Sequence, residues 1–344
     1  MIPGLYRLVK QFNNLSIFTK NILLLYKFLK IFASVGIHLY CRNIRINKKA
    51  LLQSNGPILL AVNHPNSFLD AIILATLFKQ PIYSLARGDI FKRKIIAAIL
   101  KGLHILPVYR EREGAGNLHL NYNTFKECNN LFKNNGIVLI FTEALCENEW
   151  HLRPLKKGTA RLAVTAWQQG IPLKILPIGI NYSSFRLFGK NVHLTVGSFI
   201  GQNDIPAFDE TGKILNAITN AIQQQLKATV YEIDSSDKAT LATTFKVKIN
   251  VFKKTILTIP AIIGYALHFP IYFPLQKIVQ KKAYNTGHYD SIIVGCLAIF
   301  YPFYLLLLAI LTNFFAGGFW WIAAFILSPF FAWSYVQLKK QTDN

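Results

Sequence analysis

The chain has 344 residues, of which 52% are hydrophobic and 16% charged, and its 38 Lys and Arg against 16 Asp and Glu give a formal net charge of +22. Its 26 Phe, 15 Tyr and 5 Trp exclude a disordered basic tail, which would be poor in aromatic residues. Four scattered cysteines exclude a disulfide framework. A nucleic acid or an anionic membrane remains as the partner that explains so basic a chain.

The N-terminal part is basic and contains no Asp or Glu before Asp70. Residues 22–40 interleave apolar residues with Lys27 and Lys30, so they do not form the apolar run of a secretory signal. We predict an interfacial amphipathic helix here, within a basic membrane-interface region over residues 1–50 whose lysines contact anionic lipid. An ordinary helix packed on a globular core is the alternative.

The middle of the chain, residues 51–232, alternates β-branched runs with helical patterns, which is typical of an α/β fold with a mixed sheet flanked by helices. Strands are predicted over 58–63, 82–86, 104–109, 137–141, 173–181 and 192–199. Helices are predicted over 67–78, 93–102, 117–134, 158–169 and 211–232. We interpret residues 233–254 as a linker to a membrane region over 255–344.

The C-terminal part holds the clearest membrane signal. No charged residue and no histidine occurs from Ser291 to Leu338. Because one span needs about 20 residues, we predict a transmembrane hairpin with spans over about 292–312 and 318–336. Lysines flank the hairpin on both sides, and the positive-inside rule therefore places both ends in the cytoplasm.

Residues 255–276 are also uncharged, but they contain three prolines and His268. Prolines interrupt helices, and a third span would send one basic flank to the outside. We therefore predict a broken interfacial or re-entrant segment, with a kinked span as the alternative.

The strongest chemical signal is the sequence NHPNSFLD at residues 63–70. His64 follows a predicted strand, at the carboxyl edge where α/β sheets place their active sites. Ser67 is a natural N-cap for the next helix, which carries Asp70. The Asp70 carboxylate can fix the imidazole tautomer and leave the other nitrogen of His64 as a general base for an alcohol. Alternatively, Asp70 and Ser67 only cap a helix near its positive end.

Over about residues 55–200 the sequence resembles the glycerophospholipid acyltransferases, the family of lysophosphatidate and glycerol-3-phosphate acyltransferases. In that family a His and an Asp separated by four residues form the catalytic dyad, and His64 and Asp70 match it with five residues between them. The motif is closer to the branch with His-x-Asn-x-Phe-x-Asp. The resemblance implies that His64 and Asp70 are catalytic and that Asn66 and Ser67 bind substrate.

Further blocks of the family have weaker counterparts. Arg87 in ARGDIF stands in the place of a family Lys, and Arg110 ends the block GLHILPVYR. The resemblance implies that both face a phosphate, for which the guanidinium fork is suited. In FTEALCENEW, Glu143 is retained as a substrate-binding candidate, but Ala144 replaces a glycine and the family's Arg is missing. Glycine can take backbone angles that alanine avoids.

Phosphate binding then depends on other basic residues. The stretch from Trp150 to Asn203 has no acidic residue, and its candidates for substrate binding are Lys156, Lys157 and Arg161. We interpret Cys146, in the third block, as structural rather than nucleophilic.

The resemblance implies transfer of a fatty acyl group from an acyl thioester, either acyl-CoA or acyl-carrier protein, to a hydroxyl of glycerol-3-phosphate or 1-acylglycerol-3-phosphate in phosphatidate synthesis. The alternatives are an acceptor that is another lysophospholipid or a lyso-aminolipid, and an inactive membrane scaffold of the same fold. We expect no cofactor and no metal, because no His and Cys spacing is of ligand type. Anionic lipids and the acyl donor are the expected partners, and a nucleic acid is not, because no nucleic-acid-binding motif occurs. The catalytic domain is expected on the cytoplasmic face of the membrane.

Overall fold

The computed structural model describes residues 24–109 and 120–341. A seven-stranded mixed sheet forms its centre, in the order β1-β7-β6-β2-β5-β3-β4, and only the β6–β7 pair is antiparallel. The strands are β1 Cys41–Ile46, β2 Ile58–Val62, β3 Ile82–Arg87, β4 Ile105–Val108, β5 Ile137–Phe141, β6 Lys174–Tyr182 and β7 Lys190–Val196. The predicted α/β class, with a mixed sheet flanked by helices, is confirmed.

The helices of the sheet domain lie close to their predicted positions. They are α1 over residues 24–40, α2 Phe68–Leu77, α3 Lys94–Gly102, α4 Leu120–Lys133, α5 Gly158–Gln168 and α6 Thr211–Lys227. A short α7 Lys238–Phe245 follows, and then come three long helices, α8 Val251–Ala283, α9 Tyr289–Ala316 and α10 Trp320–Leu338.

Strand β2 lies at the centre of the core because apolar side chains cover both of its faces. Leu60 and Val62 pack in one layer with Ile73 of α2, while Leu59 and Ala61 pack in the opposite layer against α4, α5 and α6. A parallel strand buried on both sides is expected to be apolar at every position, as this one is. The carboxyl end of β2 is therefore held rigidly between β5 and β6.

Two boundaries predicted from the sequence differ from the structure. Residues 41–46, placed in the membrane-interface region, form the edge strand β1, which pairs with β7. Residues 233–254, interpreted as a linker, include α7, where Leu241 and Phe245 are buried. Neither segment has the long apolar pattern of a core element, and tertiary contacts decide its structure.

Helix α1 combines the two alternatives that its sequence left open. Tyr26 and Ile37 are buried against the domain, whereas Leu24 and Phe28 are more than 60% exposed. Lys30 donates to the carbonyl of Phe78 and does not point away from the domain as an interfacial lysine would. Residues 1–23 of the predicted membrane-interface region lie outside the described residues.

Three helices, α8, α9 and α10, are long and apolar enough to cross a membrane. Helices α9 and α10 match the two predicted spans, and Gly317 and Gly318 form the turn between them with φ of 62° and 56°. The expectation of a broken segment over 255–276 was wrong, since α8 is one helix that contains all three prolines.

Both ends of α8 are attached to the sheet domain. At its start, Lys253 donates to Gln337 at the end of α10, and Gln337 donates to the carbonyl of Arg42 in β1. The preceding Val247 donates its amide to Gln341, which also accepts from Asn191 of β7. Near its other end, Val279 and Ala283 belong to the same core cluster as β2. Attachment of both ends to one domain is the arrangement expected of a helix that stays on one side of a bilayer.

Candidate active site

The candidate site lies at the carboxyl end of β2, where the chain leaves the sheet between its neighbours. Asn63 extends the strand pairing with its side chain, which donates to the carbonyl of Ile180 (3.1 Å) and accepts from the amide of the same residue (2.8 Å). The next residue, His64, therefore starts the loop from a fixed position.

His64 and Asp70 are brought together as the sequence predicts. Nδ1 of His64 lies 2.9 Å from Oδ2 of Asp70, which is completely buried. Asp70 also accepts from the backbone amide of Asn66 (2.9 Å) and from the hydroxyl of Tyr182 (2.6 Å). Because an ionised carboxylate only accepts hydrogen bonds, Nδ1 of His64 carries the proton and Nε2 is left to accept one.

The imidazole ring is held from a second side by an aromatic side chain. Phe141, the last residue of β5, stacks on His64 with 3.7 Å between the ring centroids and 12° between the planes. The His64 side chain remains 19% exposed. The arrangement fixes the ring while leaving it accessible to a small reacting group.

Glu143 lies beside the dyad and holds the backbone. Its two carboxylate oxygens accept from the amides of His64 (2.8 Å) and Arg153 (2.9 Å). Burial raises the pKa of Glu143, and these two hydrogen bonds act in the opposite direction. Both oxygens thus contact the protein's own backbone, and substrate binding by Glu143 stays a prediction.

Next to Glu143, Ala144 has a φ of 54°, in the left-handed region that favours glycine. The resemblance implies a glycine at this position. Here an alanine adopts the left-handed conformation that a glycine would adopt without strain.

Ser67 occupies the predicted N-cap position, but its side chain does not cap α2. Its hydroxyl lies 2.6 Å from Nδ1 of His288, and its amide donates to Sγ of Cys146 (3.0 Å). Burial raises the pKa of the Cys146 thiol well above its usual range. A neutral, hydrogen-bonded thiol is a poor nucleophile, which favours the structural interpretation of Cys146.

The predicted cationic residues that the structure describes are not bonded to the dyad. Arg87 is exposed and paired with Asp89 (2.5 Å). Lys156, Lys157 and Arg161 are exposed around the start of α5, and within the described ranges no hydrogen bond or ion pair joins them to His64 or Asp70. Arg110 lies outside the described residues.

Several residues of the site were not predicted from the sequence. Tyr182 and Phe141 contact the dyad directly, and Asp290 accepts from the side-chain amide of Asn66 (2.8 Å). Asp290 had one signal in the sequence, because it is the only acidic residue between positions 238 and 342. Over the described parts of the chain, no group of three or more His, Cys, Asp or Glu side chains is placed to hold a metal ion.

Residues 43–181 match the model of the Acyltransferase family. This match and a curated relative support the resemblance to the glycerophospholipid acyltransferases. It is 29% identical over 194 residues to a 1-acyl-sn-glycerol-3-phosphate acyltransferase of Bacillus subtilis (strain 168), an alignment that covers 56% of this chain and 90% of that protein. The crystal structure of the 1-acyl-sn-glycerophosphate acyltransferase PlsC from Thermotoga maritima is similar with a TM-score of 0.40 and 12% identity, over 61% of this chain and 82% of that one.

Proposed function

We propose that the protein transfers a fatty acyl group from an acyl thioester to a hydroxyl of 1-acylglycerol-3-phosphate or glycerol-3-phosphate, with His64 as the general base. The observation that carries the proposal is the hydrogen bond of 2.9 Å from the imidazole to the buried carboxylate of Asp70 at the edge of the sheet. The similarity to the Bacillus subtilis enzyme supports a phosphorylated glycerol acceptor.

The reaction needs one base and no protein nucleophile. Nε2 of His64 takes the proton of the acceptor hydroxyl while the oxygen of that hydroxyl bonds to the thioester carbonyl carbon. The tetrahedral intermediate then collapses, the carbon–sulfur bond breaks and an ester remains. A thiol pKa of about 8.5 makes thiolate an adequate leaving group, and the imidazolium returns the proton to it. Asp70 stabilises that imidazolium by its negative charge.

A membrane location suits this substrate class. We propose that α9 and α10 cross the bilayer, and that α8 lies at its interface, because its start is joined to β1 through Gln337 and its end packs in the core of the sheet domain. Lysines follow α10 and precede α9, so the positive-inside rule favours the cytoplasmic side for the catalytic domain. The donor, acyl-CoA or acyl-carrier protein, reaches the site from that side, and anionic lipids are the proposed membrane partner.

One observation favours a second candidate, a different acyl acceptor. The third block lacks the family's Arg, and the guanidinium of Arg153 in this region is occupied by Glu149 through two hydrogen bonds of 2.9 Å. Arg87 is likewise paired with Asp89. A site with fewer available cations is better suited to a zwitterionic lysophospholipid or a lyso-aminolipid. A third candidate is an inactive scaffold of the same fold. It is favoured by the strained backbone of Ala144, which stands where the resemblance implies a glycine.

An acceptor panel tests these proposals together. Membranes that contain the full chain are incubated with a labelled acyl thioester, as acyl-CoA and as acyl-carrier protein, and with glycerol-3-phosphate, 1-acylglycerol-3-phosphate, lysophosphatidylcholine or a lyso-aminolipid. We expect the fastest transfer to 1-acylglycerol-3-phosphate. Preferred transfer to a zwitterionic acceptor would replace the first proposal by the second. If no acyl group is transferred to any acceptor, both enzyme proposals fail and the inactive scaffold is the candidate that remains.

A further inference from the structure

The loop that carries the dyad is held by residues outside the part of the chain that matches the family. Ser291, in the first turn of α9, donates its hydroxyl to the carbonyl of Asn66 (3.1 Å) and accepts from the amide of Leu69 (3.1 Å). One turn of a C-terminal apolar helix thus makes two hydrogen bonds to the backbone between His64 and Asp70.

Asp290, the residue before Ser291, fixes the side chain of Asn66. Its carboxylate is 1% exposed and accepts from the amide nitrogen of Asn66 (2.8 Å), from the amino group of Lys190 and from the hydroxyl of Tyr40. Lys190 is itself completely buried. A buried ion pair is costly to desolvate, and its best-attested use is to specify one arrangement among several.

Asn66 and His64 share one hydrogen-bond acceptor, Oδ2 of Asp70. The backbone amide of Asn66 donates to Oδ2 of Asp70, and the same Oδ2 accepts from Nδ1 of His64. A displacement of Asn66 therefore moves a hydrogen-bond donor away from the carboxylate oxygen that orients the imidazole.

The loop needs such support because its backbone is strained. Ser67 has a φ of 53° and a ψ of −135°, which side-chain-bearing residues rarely adopt. Strained conformations of this kind persist only where their surroundings over-determine them. The contacts on both sides of Ser67, at Asn66 and at Leu69, come from the turn of α9.

We infer that Asp290 and Ser291 are positioning residues for the dyad, so that the first turn of α9 is part of the catalytic unit. The inference rests on the proposed function for its kinetic readout. It also makes a structural statement that is independent of activity, namely that this turn holds the backbone of residues 64–70 in place.

The test compares variants that keep or remove the acceptor for Asn66. Lys190→Met with Asp290→Asn removes both charges but keeps an oxygen at residue 290, whereas Lys190→Met with Asp290→Leu removes the oxygen as well. We expect kcat to fall about 10- to 100-fold further with Leu than with Asn, with KM changed less than threefold, because an orienting contact acts in the transition state. Equal kcat values in the two double variants would overturn the inference.

Ser291→Ala is the second variant, since it leaves the ion pair intact. Its matched control is Ser328→Ala, because Ser328 is buried in α10 and its hydroxyl donates to the Ala324 carbonyl of its own helix. We expect a 3- to 10-fold lower kcat for Ser291→Ala, from the loss of two neutral hydrogen bonds, and no change for the control. This variant decides the question if the Leu double variant does not fold.

Amide hydrogen exchange of the full chain, measured on peptides that cover residues 64–70, separates this inference from the proposed function. Exchange there is expected to be at least tenfold faster in Ser291→Ala than in wild type and Ser328→Ala. Unchanged exchange in Ser291→Ala would overturn the inference even if the enzyme is active. Faster exchange in a protein that transfers no acyl group would sustain it while the proposed function fails.

Discussion

Replacement of Asp70 by Asn tests the part that the carboxylate plays in the dyad. The side chains have nearly the same shape, and an Asn oxygen at the position of Oδ2 can still accept from His64 and from the amide of Asn66. The Asn nitrogen then faces the Tyr182 hydroxyl, which can rotate and accept. The fold should therefore survive, and the variant loses mainly the negative charge.

The expected cost follows from the hydrogen bond that changes. Bonds to charged groups contribute about 1.5–3 kcal/mol, against about 0.5–1.5 kcal/mol for neutral ones. The difference, roughly 1–2 kcal/mol, corresponds to a fall in kcat of about 5- to 30-fold at 1.36 kcal/mol for each factor of ten. KM should stay within threefold, because Asp70 is completely buried and cannot contact substrate.

The assay is steady-state acyl transfer to the best acceptor of the panel, with the thermal unfolding temperature measured on the same preparations. Tyr182→Phe is the matched control, because it removes one donor to Asp70 and leaves the carboxylate charged. We expect it to lower kcat less than Asp70→Asn does. A kcat of Asp70→Asn within twofold of wild type, or a loss that appears only in KM, would refute the reasoning.

Three further predictions concern the support of the site and the membrane region. Glu143→Gln places a donor amide against one of two backbone N–H groups, so we expect a loss of about 1–3 kcal/mol in stability, and an unfolding temperature equal to wild type would contradict it. Ala144→Gly relieves the left-handed backbone, so it should change the free energy of unfolding by less than about 1 kcal/mol. Its control is Ala163→Gly, at a fully buried position inside α5, which should lower the free energy of unfolding by more than about 1 kcal/mol in the same experiment. Single cysteines introduced as Lys248→Cys and Asn285→Cys, before and after α8, should react with an impermeant maleimide from the same side of the membrane, and labelling from opposite sides would show that α8 crosses it.

The sequence predicts the sheet well where a local pattern exists. Six of the seven strands and the helices between them follow from apolar runs and turn residues, and β2 with its apolar residues is the clearest of them. Strand β1 was not predicted, because its partner β7 lies about 150 residues away along the chain. The polar residues of β1 also resemble those of the basic segment before it. The continuity of α8 through three prolines was missed because packing against α9 and α10 outweighs a local tendency to break.

The candidate site shows the same division. The pairing of His64 with Asp70 could be predicted, because a strand end followed by a helix places both side chains at one edge. The resemblance assigned Arg87 to phosphate binding, and the lack of acidic residues after Trp150 added Lys156, Lys157 and Arg161. Those side chains are exposed, and in the described ranges no hydrogen bond or ion pair joins them to the dyad, so these assignments stay predictions. Asp290 could not be placed, since its contact with Asn66 joins positions 224 residues apart.

The central claim is that His64 is the general base, and its most direct test is the rate of acyl transfer by His64→Ala at saturating substrate. Loss of a general base typically costs about 10²- to 10⁴-fold, so we expect kcat to fall by at least 100-fold with an unfolding temperature close to that of wild type. His151→Ala is the control, because His151 is an exposed histidine paired with Glu149 outside the dyad, and its kcat should equal that of wild type. A His64→Ala protein that retains more than a tenth of the wild-type kcat would contradict the mechanism.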